Sequence, residues 1–228
     1  MWWANTFFEF SEIVIQIALP FLRLFSQACK PMENDFEALI SGFILDRIGI
    51  SNHFLTDELA LSLRGDLLDM KEQSRLKTAG IGNEGRFQKD ETVRGDQIYW
   101  LDRQNQSDIQ DGFLDQMDGF VRYLNQTCYT GITSYEFHYA HYGPGSFYKR
   151  HLDQFENNSD RRFSMISYLN DNWQQGDGGE LSVEQDGPDL AISPVLGKTV
   201  FFKSDELSHE VLLTHKPRLS VTGWLKRS

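Results

Sequence analysis

Apolar residues recur at helical spacing in three segments of the first half of the chain. In Asp35–Arg47 they fall three and four positions apart, which predicts an amphipathic helix. Thr56 is followed by two acidic residues, so it is the predicted N-cap of a second helix that runs to about Leu76. A third helix is predicted over Asp108–Tyr123, where apolar side chains again share one face.

The pattern changes after Thr127, where short alternating or apolar runs lie between turn residues. An earlier run, Gln97–Leu101, has the same character. The later runs are Ser134–Tyr139, Phe163–Leu169, Glu180–Glu184, Thr199–Phe202, Glu210–Leu213 and Leu219–Leu225. Several short strands at this spacing are typical of an antiparallel sandwich or barrel. We therefore expect an α+β, mainly β fold in which the N-terminal helices brace the outside of a two-sheet core.

The first thirty residues are apolar but match neither a membrane span nor a secretory signal. Their longest uncharged run, Ile13–Leu22, has ten residues and contains Pro20, whereas a bilayer span needs about 20. A secretory signal begins with basic residues, and here the first charged residues are acidic. We expect residues 1–31 to be an extension that the chemistry does not need, with an interfacial membrane helix as the alternative. Residues 32–228 contain no linker composition and are expected to form a single domain.

Charge and cysteine content exclude several classes of partner and site. The chain has 33 acidic and 22 basic residues and a net charge of −11, and such a field repels a phosphate backbone. A protein partner therefore fits better than a nucleic acid. The two cysteines, Cys29 and Cys128, are too few and too far apart for a disulfide framework or a zinc knuckle. They indicate a reducing compartment, and we expect a cytoplasmic location.

Three residues have the types and spacing of a metal site. His151 and Asp153 are two positions apart, so on a strand their side chains share a face. His209 lies at the edge of another predicted strand. Two histidines and one carboxylate form the facial triad that holds a ferrous ion and leaves open positions for other ligands.

The predicted strand register adds an arginine to this set. If Thr214–Pro217 is a four-residue hairpin loop, Leu213 pairs with Arg218 and His209 faces Thr222. All four side chains then point inward. An inward arginine is costly to bury without a partner, and the capture of a dicarboxylate at the metal would provide one.

Together, His151, Asp153, His209 and Arg218 resemble the iron- and 2-oxoglutarate-dependent dioxygenases. The chain is most similar to prolyl hydroxylases of the hypoxia-inducible-factor type and their bacterial relatives, from about Asp57 to Leu225. The similar stretches are Arg94–Trp100, Tyr142–Asp153, Ile166–Asn170, Gly178-Gly179, Phe201–Val211 and Arg218–Trp224.

The resemblance implies a double-stranded β-helix, or jelly roll, and a set of site residues. It implies that the triad binds Fe(II), and that the co-substrate 2-oxoglutarate is held by Arg218, Tyr168, Tyr142 and Thr222. The expected substrate pocket comprises Trp224, Arg94, Asp96, Arg161 and Arg162. Other readings remain for some of these, since Tyr168 also suits a core position, Arg94–Asp96 a turn, and Arg161-Arg162 a solvated turn. The glycine-rich segment 80–95 would be a lid or a plain loop.

The resemblance also implies an activity. The expected reaction is hydroxylation of a prolyl residue in a protein substrate, with O2 consumed and succinate and CO2 as co-products. Ascorbate would keep the iron reduced, the iron centre would carry the chemistry without an assigned protein acid or base, and elongation factor Tu is the candidate substrate. The alternatives are the same chemistry on another residue or a free amino acid, and a non-catalytic jelly-roll sensor of metal or oxygen.

Overall fold

The computed structural model describes residues 30–80, 92–154 and 159–227. Three α-helices lie in these ranges: α1 (Lys30–Asp46), α2 (Asp57–Glu72) and α3 (Asp108–Thr127). The strands are β1 (Ile48–Ser51), β2 (Lys77–Thr78), β3 (Asp96–Trp100), β4 (Ser134–Tyr142), β5 (Tyr148–His151), β6 (Arg161–Tyr168), β7 (Leu181–Val183), β8 (Leu190–Ile192), β9 (Thr199–Lys203), β10 (His209–Val211) and β11 (Arg218–Lys226).

The strands form two antiparallel sheets. The major sheet has the order β1-β9-β6-β11-β4-β3-β2, and the minor sheet has the order β5-β10-β7-β8. In the major sheet β11 is central, since it pairs with β4 on one side and with β6 on the other. The prediction of a mainly β, two-sheet fold is confirmed.

The outer face of the major sheet packs against the helices. Phe113 of α3 packs edge-on against Phe137 of β4, with ring centroids 5.1 Å apart. Phe36 of α1 and Phe120 of α3 join the same apolar cluster, which also includes Val221 of β11. Burial of such large side chains is the main favourable term in folding. The predicted bracing by the N-terminal helices is therefore confirmed.

The inner face of the major sheet packs against the minor sheet. Ile166 and Tyr168 of β6 and Phe202 of β9 meet Leu181 and Val183 of β7 in a second buried cluster. Successive residues of a strand point to opposite faces, so β6 and β9 each serve both clusters. The functional side chains lie in the gap between the sheets, beside this second cluster.

The helix predictions are confirmed with small shifts of the ends. The Thr56 hydroxyl accepts a hydrogen bond from the amide of Leu59, as expected of an N-cap. Helix α1 begins earlier than the periodicity indicated, at Lys30, so the first two residues of this helix lie within residues 1–31. The short strands β1, β2, β5 and β8 were not predicted, because runs of two to four residues carry too little alternation to stand out.

The predicted hairpin between His209 and Thr222 is wrong. Strand β10 pairs with β5 and β7 in the minor sheet, whereas β11 lies in the major sheet. The connection crosses from one sheet to the other and is held by the Gly179 amide, which donates to the carbonyl oxygen of Leu213. Leu213 itself is 48% exposed rather than inward.

One buried asparagine fixes the start of β11. The Asn170 side-chain oxygen accepts from the amide of Leu219 at 2.7 Å, and its nitrogen donates to the carbonyl oxygens of Pro194 and Leu219 at 2.7 and 3.1 Å. Buried polar groups satisfied in this way specify a unique local geometry. Arg218, directly before Leu219, is thereby held at a defined position.

Two expectations fall on other parts of the chain. Most of residues 1–31 and most of the glycine-rich segment 80–95 lie outside the described residues. Within the described residues, none of the helices combines the length and the apolar character needed to cross a membrane.

Candidate active site

Three potential metal ligands converge between the two sheets. His151 is the last residue of β5 and His209 is the first residue of β10, and the antiparallel pairing of the strands places them side by side. Asp153 follows just after the end of β5 and is buried. One ligand atom from each side chain lies within 4.8 Å of the others. The structure thus brings together the three residues predicted as a facial triad.

Main-chain carbonyls orient the rings of both histidines. Nδ1 of His151 lies 2.8 Å from the carbonyl oxygen of Lys149, and Nδ1 of His209 lies 2.9 Å from that of Leu207. A carbonyl oxygen only accepts, so Nδ1 is the donor in each ring, and in the neutral tautomer with this donor Nε2 keeps its lone pair. The Nε2 atoms of His151 and His209 lie 3.4 and 3.6 Å from the carboxylate oxygens of Asp153. Three electron-pair donors thus face one another, an arrangement that a divalent cation stabilises.

The protonation states of the buried ligands suit a metal. Burial lowers the pKa of His209, which favours the neutral imidazole. Burial alone would raise the pKa of Asp153, but the interactions with His209 and His151 outweigh it and hold this pKa well below its usual range. At neutral pH the carboxylate is therefore ionised and the imidazole of His209 is neutral, as metal ligands must be.

The opposite wall of the gap carries Arg218 and Tyr168. Arg218 is buried, its Nε donates to the carbonyl oxygen of Gly179 at 2.8 Å, and its Nη1 donates to Ser220 Oγ at 3.3 Å. Nη2 of Arg218 and the hydroxyl of Tyr168 are buried without a hydrogen-bond partner in the described part of the chain. Burial raises the pKa of Tyr168 to about 12, so its hydroxyl keeps its proton. Two buried donors that lack an acceptor fit one carboxylate group.

Gly179 leaves the space that the guanidinium needs. Its φ of +77° lies in the left-handed region that favours glycine. A Cβ atom there would lie 3.0 Å from Cδ of Arg218 and 3.2 Å from Oγ1 of Thr214. Gly179 is therefore a steric requirement of the arginine's position.

Tyr142 and Thr222 lie on the same wall as Arg218. Tyr142 is the β4 partner of Arg218, and its ring centroid is 5.0 Å from Cζ of the arginine. Alternation along β11 puts Arg218, Ser220 and Thr222 on one face, and the hydroxyls of the latter two are 3.1 Å apart. The structure places Tyr142 beside the guanidinium, and Thr222 is linked to it through Ser220.

Trp224 continues this face, and Arg161 lies on it. The Arg161 guanidinium carbon is 3.4 Å from the centroid of the Trp224 ring, and its Nη2 pairs with Glu136 at 2.8 Å. Arg162 is exposed, and its carbonyl oxygen accepts from the amide of Ser204. Of the two adjacent arginines, Arg161 is the one packed on the predicted pocket wall.

Arg94 and Asp96 form a closed ion pair. Nε and Nη2 of Arg94 donate to the two carboxylate oxygens of Asp96 at 2.7 and 2.6 Å. The Arg94 guanidinium lies 4.3 Å from the ring centroid of Tyr148, which stacks on His151 at 3.6 Å. This pair therefore supports a metal-ligand candidate from behind.

Three further residues of the gap, Tyr148, Ser220 and His138, were not among the predicted site residues. Ser220 and His138 follow from alternation, because they lie two residues before Thr222 and four before Tyr142 on strands that were predicted. Tyr148 begins β5, a strand too short to show a pattern.

Comparisons with known proteins agree with this geometry. The sequence profile of the 2OG-Fe(II) oxygenase superfamily matches residues 137–226. A prolyl-4-hydroxylase from Pseudomonas putida shares 36% sequence identity and a TM-score of 0.76, and the match covers 85% of this chain and 99% of that one. The chain belongs to the 2OG-Fe(II) oxygenase superfamily. It is a 2-oxoglutarate-dependent dioxygenase of prolyl hydroxylase-like structure that uses Fe(II), 2-oxoglutarate and O2.

More distant oxygenases share the fold. A Trichoplax adhaerens prolyl hydroxylase, solved with a peptide fragment of a hypoxia-inducible factor, has 21% identity and a TM-score of 0.78, over 88% of this chain and 92% of that one. A collagen prolyl hydroxylase of Paramecium bursaria Chlorella virus-1 has 17% identity and a TM-score of 0.57, over 81% and 98%. The predicted double-stranded β-helix is confirmed.

The residues in the gap fit the groups that this superfamily uses. The three electron-pair donors suit Fe(II), and the unpartnered donors of Arg218 and Tyr168 suit the carboxylate of 2-oxoglutarate that lies away from the metal.

Proposed function

We propose that the protein hydroxylates a prolyl residue in a protein substrate, with succinate and CO2 as co-products. The observation that carries this proposal is the 36% identity to the Pseudomonas putida prolyl-4-hydroxylase, of which the match covers 99%. The geometry of the gap supports it, because the same chain provides a three-ligand group and a carboxylate-binding pair on facing walls.

The site residues take separate roles in this proposal. His151, Asp153 and His209 hold Fe(II), while Arg218 and Tyr168 hold the distal carboxylate of 2-oxoglutarate. Tyr142 and Thr222 line the co-substrate site. Trp224 and Arg161 form the wall of the substrate pocket, Arg94 and Asp96 support it from behind Tyr148, and the exposed Arg162 is available to a bound substrate.

The bound Fe(II) and 2-oxoglutarate supply the oxidation, in which one atom of O2 enters succinate and the other becomes the product hydroxyl. The protein's own contribution is orientation and the exclusion of water. The Phe202 ring lies edge-on to His209 at 4.9 Å, and the second apolar cluster continues from there between the sheets. Arg218 is held in advance by Gly179 and Ser220, so the co-substrate meets a preformed site.

Three further assignments complete the proposal. Ascorbate serves as the reductant that keeps the iron ferrous. The candidate substrate is elongation factor Tu. The protein acts in the cytoplasm, in keeping with a sequence that has only two cysteines, far apart.

The proposal is tested with the purified enzyme, Fe(II), 2-oxoglutarate, ascorbate and elongation factor Tu. The expected result is succinate formation together with the gain of one oxygen atom on a single prolyl residue, located by peptide mass spectrometry. Asp153→Ala is the inactive control. If succinate forms and the oxygen is found on another residue or on a free amino acid, that molecule is the substrate. If no succinate forms under any condition, the alternative of a non-catalytic sensor of metal or oxygen is supported instead.

A further inference from the structure

Two buried polar atoms in the gap have no role in holding the co-substrate. Nδ1 of His138 and Nε1 of Trp224 lack hydrogen-bond partners among the residues that the structure describes. They lie on the inner face of the major sheet, because His138 pairs with Thr222 and alternates with Tyr142 along β4. Buried polar groups are almost always paired, so these two atoms indicate a ligand contact beyond the 2-oxoglutarate site.

His138 lies in a slot between two tryptophans. Its ring centroid is 4.9 Å from that of Trp100 and 5.5 Å from that of Trp224. Trp100 is 46% exposed whereas His138 is 3% exposed, so the slot opens to the surface past Trp100.

The surroundings of the slot place it between the entrance and the metal-ligand group. The charges that act on the His138 ring are those of Arg94, Asp96, Arg161 and Asp153. Arg161 is packed on Trp224, and Asp153 is one of the three metal-ligand candidates. The His138 ring therefore lies near residues of both the predicted substrate pocket and the metal-ligand group.

The chemistry of the slot favours a ligand that offers acceptors. Burial lowers the pKa of His138 to about 4, so the imidazole is neutral at neutral pH, with one N–H donor and one acceptor nitrogen, and an acceptor placed at Nδ1 selects the tautomer that carries the proton there. The indole of Trp224 is a donor only. A prolyl residue has no backbone N–H, and its own and the preceding carbonyl oxygens are acceptors.

We propose that His138 is a substrate-positioning residue, whose Nδ1–H donates to a main-chain carbonyl oxygen next to the target prolyl residue. This inference rests on the proposed function. The slot then fixes the target residue in front of the candidate metal ligands, and the rings of Trp100 and Trp224 form its apolar walls.

Two variants separate the hydrogen bond from the packing, since Leu keeps roughly the volume of His and Asn keeps a donor. His138→Asn keeps an N–H donor close to the position of Nδ1, whereas His138→Leu removes it. With elongation factor Tu as substrate, we expect His138→Leu to lower kcat/KM for the protein substrate at least about fivefold, because a buried carbonyl then lacks its donor. His138→Asn should recover most of this loss, and the ratio of hydroxyl formed to succinate formed should fall only in His138→Leu.

The matched control is His141→Leu on the same strand. His141 is equally buried but faces the helices, where its Nε2 lies 2.6 Å from Nζ of Lys71. This variant should leave the kcat/KM for elongation factor Tu unchanged. Anaerobic binding of the substrate to the Fe(II) and 2-oxoglutarate complex should weaken in His138→Leu alone, which provides a readout independent of turnover.

The failures are distinguishable. If wild-type enzyme oxidises no prolyl residue, the proposed function and this inference both fall. If wild-type, His138→Asn and His138→Leu hydroxylate the protein with equal kcat/KM, only the inference falls. The same is true if His138→Leu raises the 2-oxoglutarate requirement to the same degree as the requirement for the protein substrate, because His138 would then act on the co-substrate.

If His138→Leu fails to fold, the test uses wild-type enzyme and measures the binding of substrate peptides in which a thioamide replaces, one at a time, each carbonyl beside the proline. Unchanged binding of all of them overturns the inference.

Discussion

At the scale of single residues, the first prediction concerns Fe(II) binding by His151, Asp153 and His209. Replacing any one by Ala should abolish tight Fe(II) binding and lower hydroxylation by several orders of magnitude, because two ligands do not hold the ion. The metal content of the folded protein and succinate formation are the measurements. Leu152, between two of these residues and 46% exposed, supplies the control, and Leu152→Ala should keep the metal. Full activity in Asp153→Ala would show that the carboxylate is not a ligand.

The second prediction concerns the unpartnered Nη2 of Arg218. Arg218→Ala should raise the 2-oxoglutarate requirement at least about tenfold, since a charge-assisted pair with a carboxylate is lost. Arg218→Lys should recover only part, because a point charge replaces a two-pronged donor. The KM for 2-oxoglutarate is measured beside metal binding, which should persist in both variants. Arg122→Ala on the exposed surface of α3 is the control, and a normal KM in Arg218→Ala would place the carboxylate contact elsewhere.

Residue-scale features differ in how far the sequence reveals them. The spacing of His151 and Asp153 is a weak signal by itself, and the three candidate ligands were selected only together with Arg218 and the family resemblance; the structure brings the three side chains together. Arg218 was placed beside the candidate metal ligands through an incorrect hairpin. The placement is still correct, because β10 and β11 lie in two sheets that face each other. His138 was missed, since an unpartnered nitrogen becomes visible only when every neighbour is known.

At the scale of elements, helix α1 leads to the third prediction. Phe36 of α1 has its ring 5.0 Å from that of Phe120 and 5.7 Å from that of Phe54, and it is 4% exposed. Phe36→Ala should therefore cost about 3–5 kcal/mol of folding free energy, measured by urea denaturation. The exposed Met32→Ala is the control.

The same helix marks the limit of a permissible truncation. A chain that begins at Met32 keeps the buried face of α1 and should retain iron binding and hydroxylation. Loss of both in the shortened chain would show that residues before Met32 belong to the folded core.

Elements with long, regular patterns were predictable and the others were not. The helices and the long strands β4, β6 and β11 show clear periodicity over eight or more residues. Strand β10 has three residues, so its partner was inferred from the nearest turn, and the nearest strand in sequence is in the other sheet. Pairing between distant segments is a tertiary property that local spacing does not encode.

At the scale of the whole molecule, two buried histidines make the fourth prediction. Burial lowers the pKa values of His138 and His141 to about 4, with the Lys71 charge adding to the effect on His141. Between pH about 4 and about 6.5 the unfolded chain binds protons that the folded chain does not. Stability should therefore be complete above about pH 6.5 and fall as the pH decreases, by up to roughly 3 kcal/mol for His138.

Denaturant midpoints measured across this pH range provide the test. His138→Asn should show a smaller loss at acid pH than the wild type, whereas replacing the exposed His215 by Asn should change little. An acid loss of the same size in His138→Asn would assign the effect to other groups, of which His141 is the first candidate because its pKa is lowered over the same range.

The central position of β11 has a consequence for how the protein is made. Strands β4 and β6 both pair with β11 and not with each other, so a growing chain that has not reached Arg218 presents two open strand edges. Such edges are templates for association between chains. The strand that closes them also delivers Arg218 and Trp224, so closure of the sheet and completion of the pocket are one event. Pulse-labelled hydrogen exchange during refolding should show β4, β6 and β11 gaining protection together, and earlier protection of the β4 and β6 edges would contradict a single closing step. A chain released from the ribosome before this strand is made would be prone to aggregate. A folded form that lacks Arg218 and cannot bind 2-oxoglutarate should therefore not accumulate in the cell.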